Sequence, residues 1–381
     1  MSHQQDLEAG PAPAPAAAHR AAPALWGYAA VRLVGLAVLA VAAAVVGEDA
    51  LHRLKGRWDS VWYVRVAEHG YGHEVRLPDG GVHSDLAFFP LLPALERGLS
   101  EALPLSAATA GLLVSWAASL AAAWGIYAVG ARFAGPRAGA VLAVLWGVYP
   151  TAFVQSMAYT ETLFTAFAAW SLYAVLRERW IWAGVLAVPA GLTRPSAAAL
   201  IAAIGVTAVV AVVTERRLPA RMAVGVLVAP LGWLAYVVFV AVRQGSATAY
   251  FDVQAAWGNS IDGGVALARF VGRNLTGPNP LAGVALCAVL VFLAWVVWLC
   301  VKQRQPLPVL VYCVAMVVVS LVGAAYFGSR PRLMMPAFPL LLPAAVALAR
   351  LRDRRLVLVL AGLALASGAY GAFTLLGPGP P

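Results

Sequence analysis

Eleven apolar runs, most of them long enough to approach the span of a bilayer, recur along this 381-residue chain, and a soluble fold has no means of hiding so many. They lie near residues 24–46, 106–131, 138–154, 158–176, 180–192, 195–213, 221–242, 281–301, 309–327, 332–349 and 355–376. With 62% hydrophobic and only 12% charged residues, there is too little charge to cover a water-facing surface. The expected class is an all-α polytopic membrane protein with the lipid bilayer as its solvent.

The net charge of +10 raises nucleic acid as a partner, but the basic residues punctuate the apolar runs instead of forming a patch. They are read as topology determinants, and no nucleic-acid partner is expected. Placing the N-terminus in the cytoplasm puts fourteen basic residues in short inward loops and twelve outside, with Arg32 in the first span. Most outward charges then sit in two long loops, about 47–105 and 243–280. Residues 180–192 are short for a span. A hairpin turning at Thr193-Arg194-Pro195 keeps Arg177, Arg179, Arg216, Arg217 and Arg221 on one side, whereas merging with 195–213 would bury Arg194 at mid-membrane. Residues 1–23, rich in Ala and Pro, are expected to be a disordered cytoplasmic tail. Residues 24–376 form one integral membrane domain, opening with a retained first span instead of a cleaved signal, and 377–381 are a tail. Cys287, Cys300 and Cys313 lie in apolar runs and suggest neither disulfides nor a metal site.

Chemistry concentrates in the loops that face outward on this assignment. In Arg57-Trp58-Asp59-Ser60-Val61-Trp62-Tyr63, helical spacing of Trp58, Trp62, Arg65 and His69 predicts a short amphipathic helix from Asp59 to Gly70. Asp59 either caps that helix, with tryptophans anchoring it at the headgroups, or acts as a general base beside the membrane; the two are compatible. Ala87-Phe88-Phe89-Pro90-Leu91-Leu92-Pro93 leads into a second helix. Its stripe Leu91, Leu92, Leu95, Leu99 and Leu103, opposite Glu96, Arg97, Ser100 and Glu101, predicts an in-plane interfacial helix.

Tyr159-Thr160-Glu161, Thr193-Arg194-Pro195 and Ser329-Arg330-Pro331-Arg332 place ionisable groups at the ends of apolar runs, and loop 243–280 adds Tyr250, Asp252, Gln254 and Trp257. Ionisable groups at such depth are expensive, and a carboxylate facing several arginines suits a phosphate headgroup. The plainer reading is that the arginines snorkel and pair with Glu161 or Asp252. His69 and His73 are four apart, but Gly70 and Gly72 break the helix that would align them. The histidines are read as solvated loop residues, with a divalent metal the lesser alternative and no cofactor expected.

These stretches carry a resemblance. Arg57-Trp58-Asp59-Ser60 with Trp62-Tyr63 and Gly70-Tyr71, Ala87 to Pro93, Ala158 to Phe164, Thr193-Arg194, Gln254 with Trp257, and Pro331-Arg332 with Pro336-Ala337-Phe338-Pro339 stand in the order found in the PIG-V-like mannosyltransferases. That family, of the GPI mannosyltransferase 2 type and with bacterial relatives, belongs to the GT-C superfamily. The resemblance implies a GT-C-type bundle of about eleven transmembrane helices, with short interfacial helices in a long first extracytoplasmic loop. It implies a polyprenyl-phosphate sugar donor, typically mannose, and inverting transfer to an acceptor hydroxyl on a glycan, glycolipid or glycoprotein at the extracytoplasmic face of the cell membrane. By analogy Asp59 is the catalytic residue, the carboxylate of the first outer loop that activates the acceptor. Trp58, Trp62, Tyr63, Glu161, Arg194, Gln254, Trp257, Arg330 and Arg332 are the candidate substrate-binding residues. Pro195 directly after Arg194 departs from relatives, which often place a small polar residue there. Two other readings stand beside this one: a GT-C enzyme for another sugar or a protein acceptor, and a transporter or flippase of lipid-linked substrates. The latter would line a path through the membrane middle with polar residues, whereas here they gather at one face.

Overall fold

A computed structural model describes residues 14–379 apart from Asp79 and Ala325. The chain runs through helices α1 (Ala14–Val46), α2 (Ala50–Lys55) and α3 (Asp59–His69), then a hairpin of β1 (Glu74–Arg76) and β2 (Val82–Ser84). Next come α4 (Leu91–Ala102), α5 (Ala107–Ala134), α6 (Pro136–Gly147), α7 (Thr160–Leu176), α8 (Trp180–Gly191) and α9 (Ala197–Glu215). Helices α10 (Ala220–Val228), α11 (Leu231–Gln244), α12 (Ala249–Ala256) and α13 (Val265–Thr276) follow. The chain closes with α14 (Pro280–Lys302), α15 (Leu307–Val322), α16 (Arg330–Met334), α17 (Leu342–Leu348) and α18 (Asp353–Leu376).

Among the described residues, six stretches are long and apolar enough to cross a bilayer alone: residues 19–46 of α1, α5, α9, α10 continued by α11, α14 and α18. The pair Phe327–Met334 and Phe338–Leu348, bent by 79° across Met335, Pro336 and Ala337, makes a seventh when counted as one broken span; its alternative is a re-entrant loop. The protein is a multi-pass membrane protein. The other four apolar runs form α6, α7, α8 and α15, each of 17 residues or fewer. Hydropathy sees the apolar run but not where its helix stops. Pro150 pushes Tyr149 out of helical geometry, so α6 ends at Gly147 and the expected span over 138–154 becomes a helix followed by a 3-10 turn at Ala152–Ser156.

That irregular stretch survives because side chains from other helices satisfy it. Arg32 donates to the Gly147 carbonyl at 3.1 Å and to Ser156 Oγ at 2.6 Å. Trp116 Nε1 donates to the Ser156 carbonyl at 3.0 Å, and Gln155 Nε2 to the Trp146 carbonyl at 2.8 Å. Non-helical backbone is tolerated at membrane depth only where protein encloses it in this way. Arg32 is therefore a cap for the C-terminal end of α6, whose carbonyls attract a cation.

Small residues set the helix spacing. A Cβ on Gly232 of α11 would meet the Val188 carbonyl oxygen of α8 at 1.9 Å, and one on Gly184 would meet the Gly225 carbonyl oxygen at 2.3 Å. Lipid supplies no hydrophobic drive between helices, so close backbone approach takes its place.

Three further expectations need correction. The disordered tail expected over 1–23 is helical from Ala14, where an alanine-rich stretch continues α1; residues 1–13 lie outside the described set. The two-stranded hairpin in loop 47–105, pairing Val75 with His83, was not expected in an all-α fold. Helix α4 is rotated from its predicted setting: Leu95 is exposed, while Leu92, Pro93 and Glu96 are buried. Lipid-facing apolar residues and a small-residue seam at Gly111 of α5 explain this, because Glu96 occupies the space a larger residue at 111 would fill.

Candidate active site

Four charged side chains from distant parts of the sequence meet at the end of the bundle that carries loop 47–105. Arg332 Nη1 lies 2.5 Å from Asp59 Oδ2, and its Nε lies 3.7 Å from Glu161 Oε1. Arg194 Nη1 approaches the same Glu161 oxygen at 2.8 Å. Exposure grades across the group: the Glu161 side chain is 2% exposed, Arg194 10%, Arg332 13% and Asp59 29%. The acid nearest solvent is thus Asp59, and Glu161 is the closed floor.

Local sequence explains each position. Glu161 is in the first turn of α7, where the helix N-terminus favours negative charge. Arg194 sits in the break between α8 and α9, in the segment Thr193-Arg194-Pro195, as the hairpin reading required; a single merged helix over 180–213 is ruled out. Arg332 belongs to the five-residue α16, upstream of the 79° bend. Asp59 opens α3, yet its side chain does not cap it. The carboxylate goes to Arg332, and the Asp59 backbone N–H donates to the Tyr159 hydroxyl at 3.0 Å. The residue before it, Trp58, has φ 52°, an uncommon conformation for a bulky side chain. Such strain persists only where surroundings hold it. Here Arg57 does so, by donating to the carbonyls of Leu375 and Gly377 and lying over the Trp58 ring at 4.4 Å.

Tyr159 is the hub that the candidate set omitted, although it precedes Glu161 in a segment singled out there. Ser115 Oγ donates to its carbonyl at 3.0 Å and accepts from its N–H at 3.2 Å, while Arg332 lies over its ring at 5.3 Å. Tyr63 joins through Thr160, with hydroxyls 3.3 Å apart. Burial, and then the nearby Asp59 charge, push the Tyr63 phenol above its usual range, so it stays protonated.

The remaining candidates are placed differently. Trp62 stacks on Phe88 at 5.5 Å and meets Trp257 edge-on at 5.0 Å, and His83 covers Trp257 at 4.1 Å. Trp257 Nε1 donates to the Ser84 carbonyl at 2.9 Å, and Gln254 Nε2 to the Ala87 carbonyl at 3.1 Å. Trp257 thus binds loop 243–280 to β2 and Gln254 binds it to the turn at Asp85–Ala87, with Trp62 of α3 packed against Trp257. His73 contacts Trp62 at 5.5 Å, so neither it nor His83 is a simply solvated loop residue. Asp85, fully buried, accepts from the backbone N–H groups of Gly72 and His73 at 2.9 and 2.8 Å and fixes the turn after α3. Arg330 stands apart: it donates to the carbonyls of Ser320, Leu321 and Gly323, closing the end of α15.

Chemically, the group offers one accessible carboxylate, a closed one and two guanidinium forks with donors to spare. Arg194 Nε and Nη1 and Arg332 Nε have no aligned hydrogen-bond acceptor, and Glu161 Oε2 has no donor. Buried donors in this state are costly unless an anion meets them. Among the described residues, no three His, Cys, Asp or Glu side chains are grouped as a metal site.

No family model matches the chain. No curated protein sequence matches it. Solved structures do. The crystal structure of ArnT from Cupriavidus metallidurans bound to undecaprenyl phosphate superposes with a TM-score of 0.55 at 18% identity, covering 88% of this chain. The apo crystal structure of the same protein gives a TM-score of 0.49 at 19% identity, over 79% of this chain and 56% of its own. This chain spans 62% of the undecaprenyl-phosphate-bound ArnT chain. At that identity the likeness is one of architecture: the chain, nearly all-helical and with several apolar spans, shares the fold of ArnT.

Proposed function

We propose that this protein is a membrane glycosyltransferase that moves a sugar, with inversion, from a polyprenyl-phosphate-linked donor to an acceptor hydroxyl. The observation that carries this reading is the convergence of Asp59, Glu161, Arg194 and Arg332 at one end of a GT-C bundle. Its solved structural neighbour, ArnT, was crystallised bound to undecaprenyl phosphate.

In the proposed reaction the Asp59 carboxylate takes the acceptor O–H proton. The acceptor oxygen bonds to the anomeric carbon from the face opposite the phosphate. The carbon–oxygen bond to phosphate breaks, and its electron pair leaves with the phosphate oxygen. Arg194 and Arg332 supply forked donors to that developing charge. Phosphate leaves well without a proton, so one base suffices, unlike the two opposed carboxylates of glycoside hydrolysis. Glu161, closed off and engaged by both arginines, holds the forks in place.

Mannose is the first donor sugar to try, on the strength of the PIG-V-like sequence pattern. The acceptor is a glycan, glycolipid or glycoprotein hydroxyl. No cofactor is assigned, and transfer by chelator-washed vesicles checks that. The N-terminus is placed in the cytoplasm and the site outside; reporter fusions at residues 59 and 194 on opposite sides would refute that sidedness. The activity itself is tested by reconstituting the protein with a panel of polyprenyl-phosphate sugars and envelope lipids. A glycosylated lipid or glycan that depends on the protein supports the proposal, and hydrolysis or no product from every donor rejects it.

A further inference from the structure

The four-residue group is electrically complete before any substrate arrives. Two carboxylates, Asp59 and Glu161, face two guanidiniums, Arg194 and Arg332. The two arginines closest in sequence to the site residues are engaged elsewhere. Arg330 is bound to the carbonyls of Ser320, Leu321 and Gly323, and Arg57 to those of Leu375 and Gly377. A phosphate that enters here therefore adds negative charge to a group whose two guanidiniums are already paired with carboxylates. Some donors on both guanidiniums are free, but engaging a whole fork draws one of them from the carboxylate it now pairs with.

Exposure and geometry decide which. The Arg194–Glu161 pair is closed, with side chains 10% and 2% exposed, whereas Arg332–Asp59 stands at 13% and 29%. Opening the closed pair would strand a buried Glu161, which is the expensive way to break an ion pair. Releasing Arg332 from Asp59 exposes only the carboxylate that water already reaches. Arg332 also keeps a second anchor through the process, since its Nε is 3.7 Å from Glu161. Its carrier α16 is a five-residue helix next to a bent break in the span, a short lever instead of a long rod.

We infer that Arg332 is handed over from Asp59 to the donor phosphate, so that arrival of the lipid phosphate is what frees the base. The inference rests on the proposed transferase reading and adds the order of events within it. Charge bookkeeping fits the handover. The donor phosphodiester carries one negative charge and becomes a monoester carrying two, while Asp59 goes from one to none as it receives the acceptor proton. The total is unchanged, and the arginine ends on the anion that has gained charge. Before the donor binds, the Asp59 carboxylate is occupied by the Arg332 guanidinium. The site thus stays quiet toward acceptors until donor is present.

A binding experiment tests this without any turnover. Undecaprenyl phosphate is titrated into the purified protein in nanodiscs for wild type, Asp59→Asn, Asp59→Ala, Arg332→Gln and the double variant Asp59→Asn/Arg332→Gln. If Asp59 competes with phosphate for Arg332, removing it tightens binding by about tenfold, the worth of one charge-assisted hydrogen bond. The same change in the Arg332→Gln background then gives no gain. Arg332→Lys, which keeps the charge without the fork, should retain part of the effect and serves if the glutamine variant does not fold. Equal or weaker binding by both Asp59 variants overturns the handover. So does tightening that persists without Arg332, which would be simple repulsion between Asp59 and phosphate. Sugar transfer by wild type alongside either result would sink the handover alone, whereas failure of wild type to bind the lipid phosphate at all rejects the transferase reading with it.

Discussion

Glu96 offers a prediction whose size can be worked out. It lies on the interfacial helix α4, fully buried, with neither carboxyl oxygen hydrogen-bonded. Burial, and secondarily the Glu68 charge, push its pKa from 4.5 up to about 9. Between those values the unfolded chain has released a proton that the folded chain retains, so stability falls as pH rises across that window. Each pH unit costs about 1.4 kcal/mol, so moving from pH 5.5 to 8.5 costs roughly 4 kcal/mol. Glu96→Gln keeps the shape and removes the titration, so the stability gap between variant and wild type should widen by that amount. With an unfolding entropy of about 2.1 cal/mol/K per residue, roughly 4 kcal/mol corresponds to about 5 °C in melting temperature for a chain of this length. The assay is thermal unfolding of both proteins in detergent at pH 5.5 and 8.5. A gap that stays constant with pH, or narrows, refutes an uncharged Glu96.

Two other perturbations follow from the same structure. Glu161→Gln leaves Arg194 and Arg332 without their shared counter-charge and should cost about 3–5 kcal/mol of stability, partly restored by undecaprenyl phosphate; a melting temperature equal to wild type would show that the pairing is dispensable. Gly232→Ala, which would drive a methyl into the Val188 carbonyl, should separate α8 from α11 and lower stability by about 1–3 kcal/mol or more, read as lost monodisperse protein on size exclusion; an undisturbed profile would deny that contact its role.

How much of this was legible in the sequence depends on which physical signal was at work. Apolar runs between arginines located the helical segments because hydropathy is a property of continuous stretches. The prolines that cut those runs, Pro150 and Pro336, were visible, but their consequence depends on partners such as Arg32, Trp116 and Gln155 that replace the lost hydrogen bonds. Asp59, Glu161, Arg194 and Arg332 could be picked out because charge at the ends of apolar runs needs a reason. Topology also put them on one face; which carboxylate pairs with which guanidinium was not legible, since that comes from the packing of α3, α7, α16 and the α8–α9 break. Trp257 and Gln254 hold loop 243–280 to β2 and the turn at Asp85–Ala87, and Arg330 closes α15; polarity alone does not separate such struts from a ligand contact. Glu96 was set on the polar face opposite the leucine stripe of an interfacial helix, whereas packing against Gly111 of α5 buries it together with Leu92 and leaves Leu95 exposed. Tyr159 was in view but carries no charge, and only its contacts reveal it as the hub.

The central claim is that Asp59 is the base of a sugar transfer from a lipid phosphate. Single-turnover transfer from polyprenyl-phosphate-mannose in proteoliposomes, at saturating donor, compares wild type with Asp59→Asn most directly. The account predicts that the variant loses about 10²–10⁴-fold in rate while still binding the donor. Transfer at the wild-type rate by Asp59→Asn would contradict it.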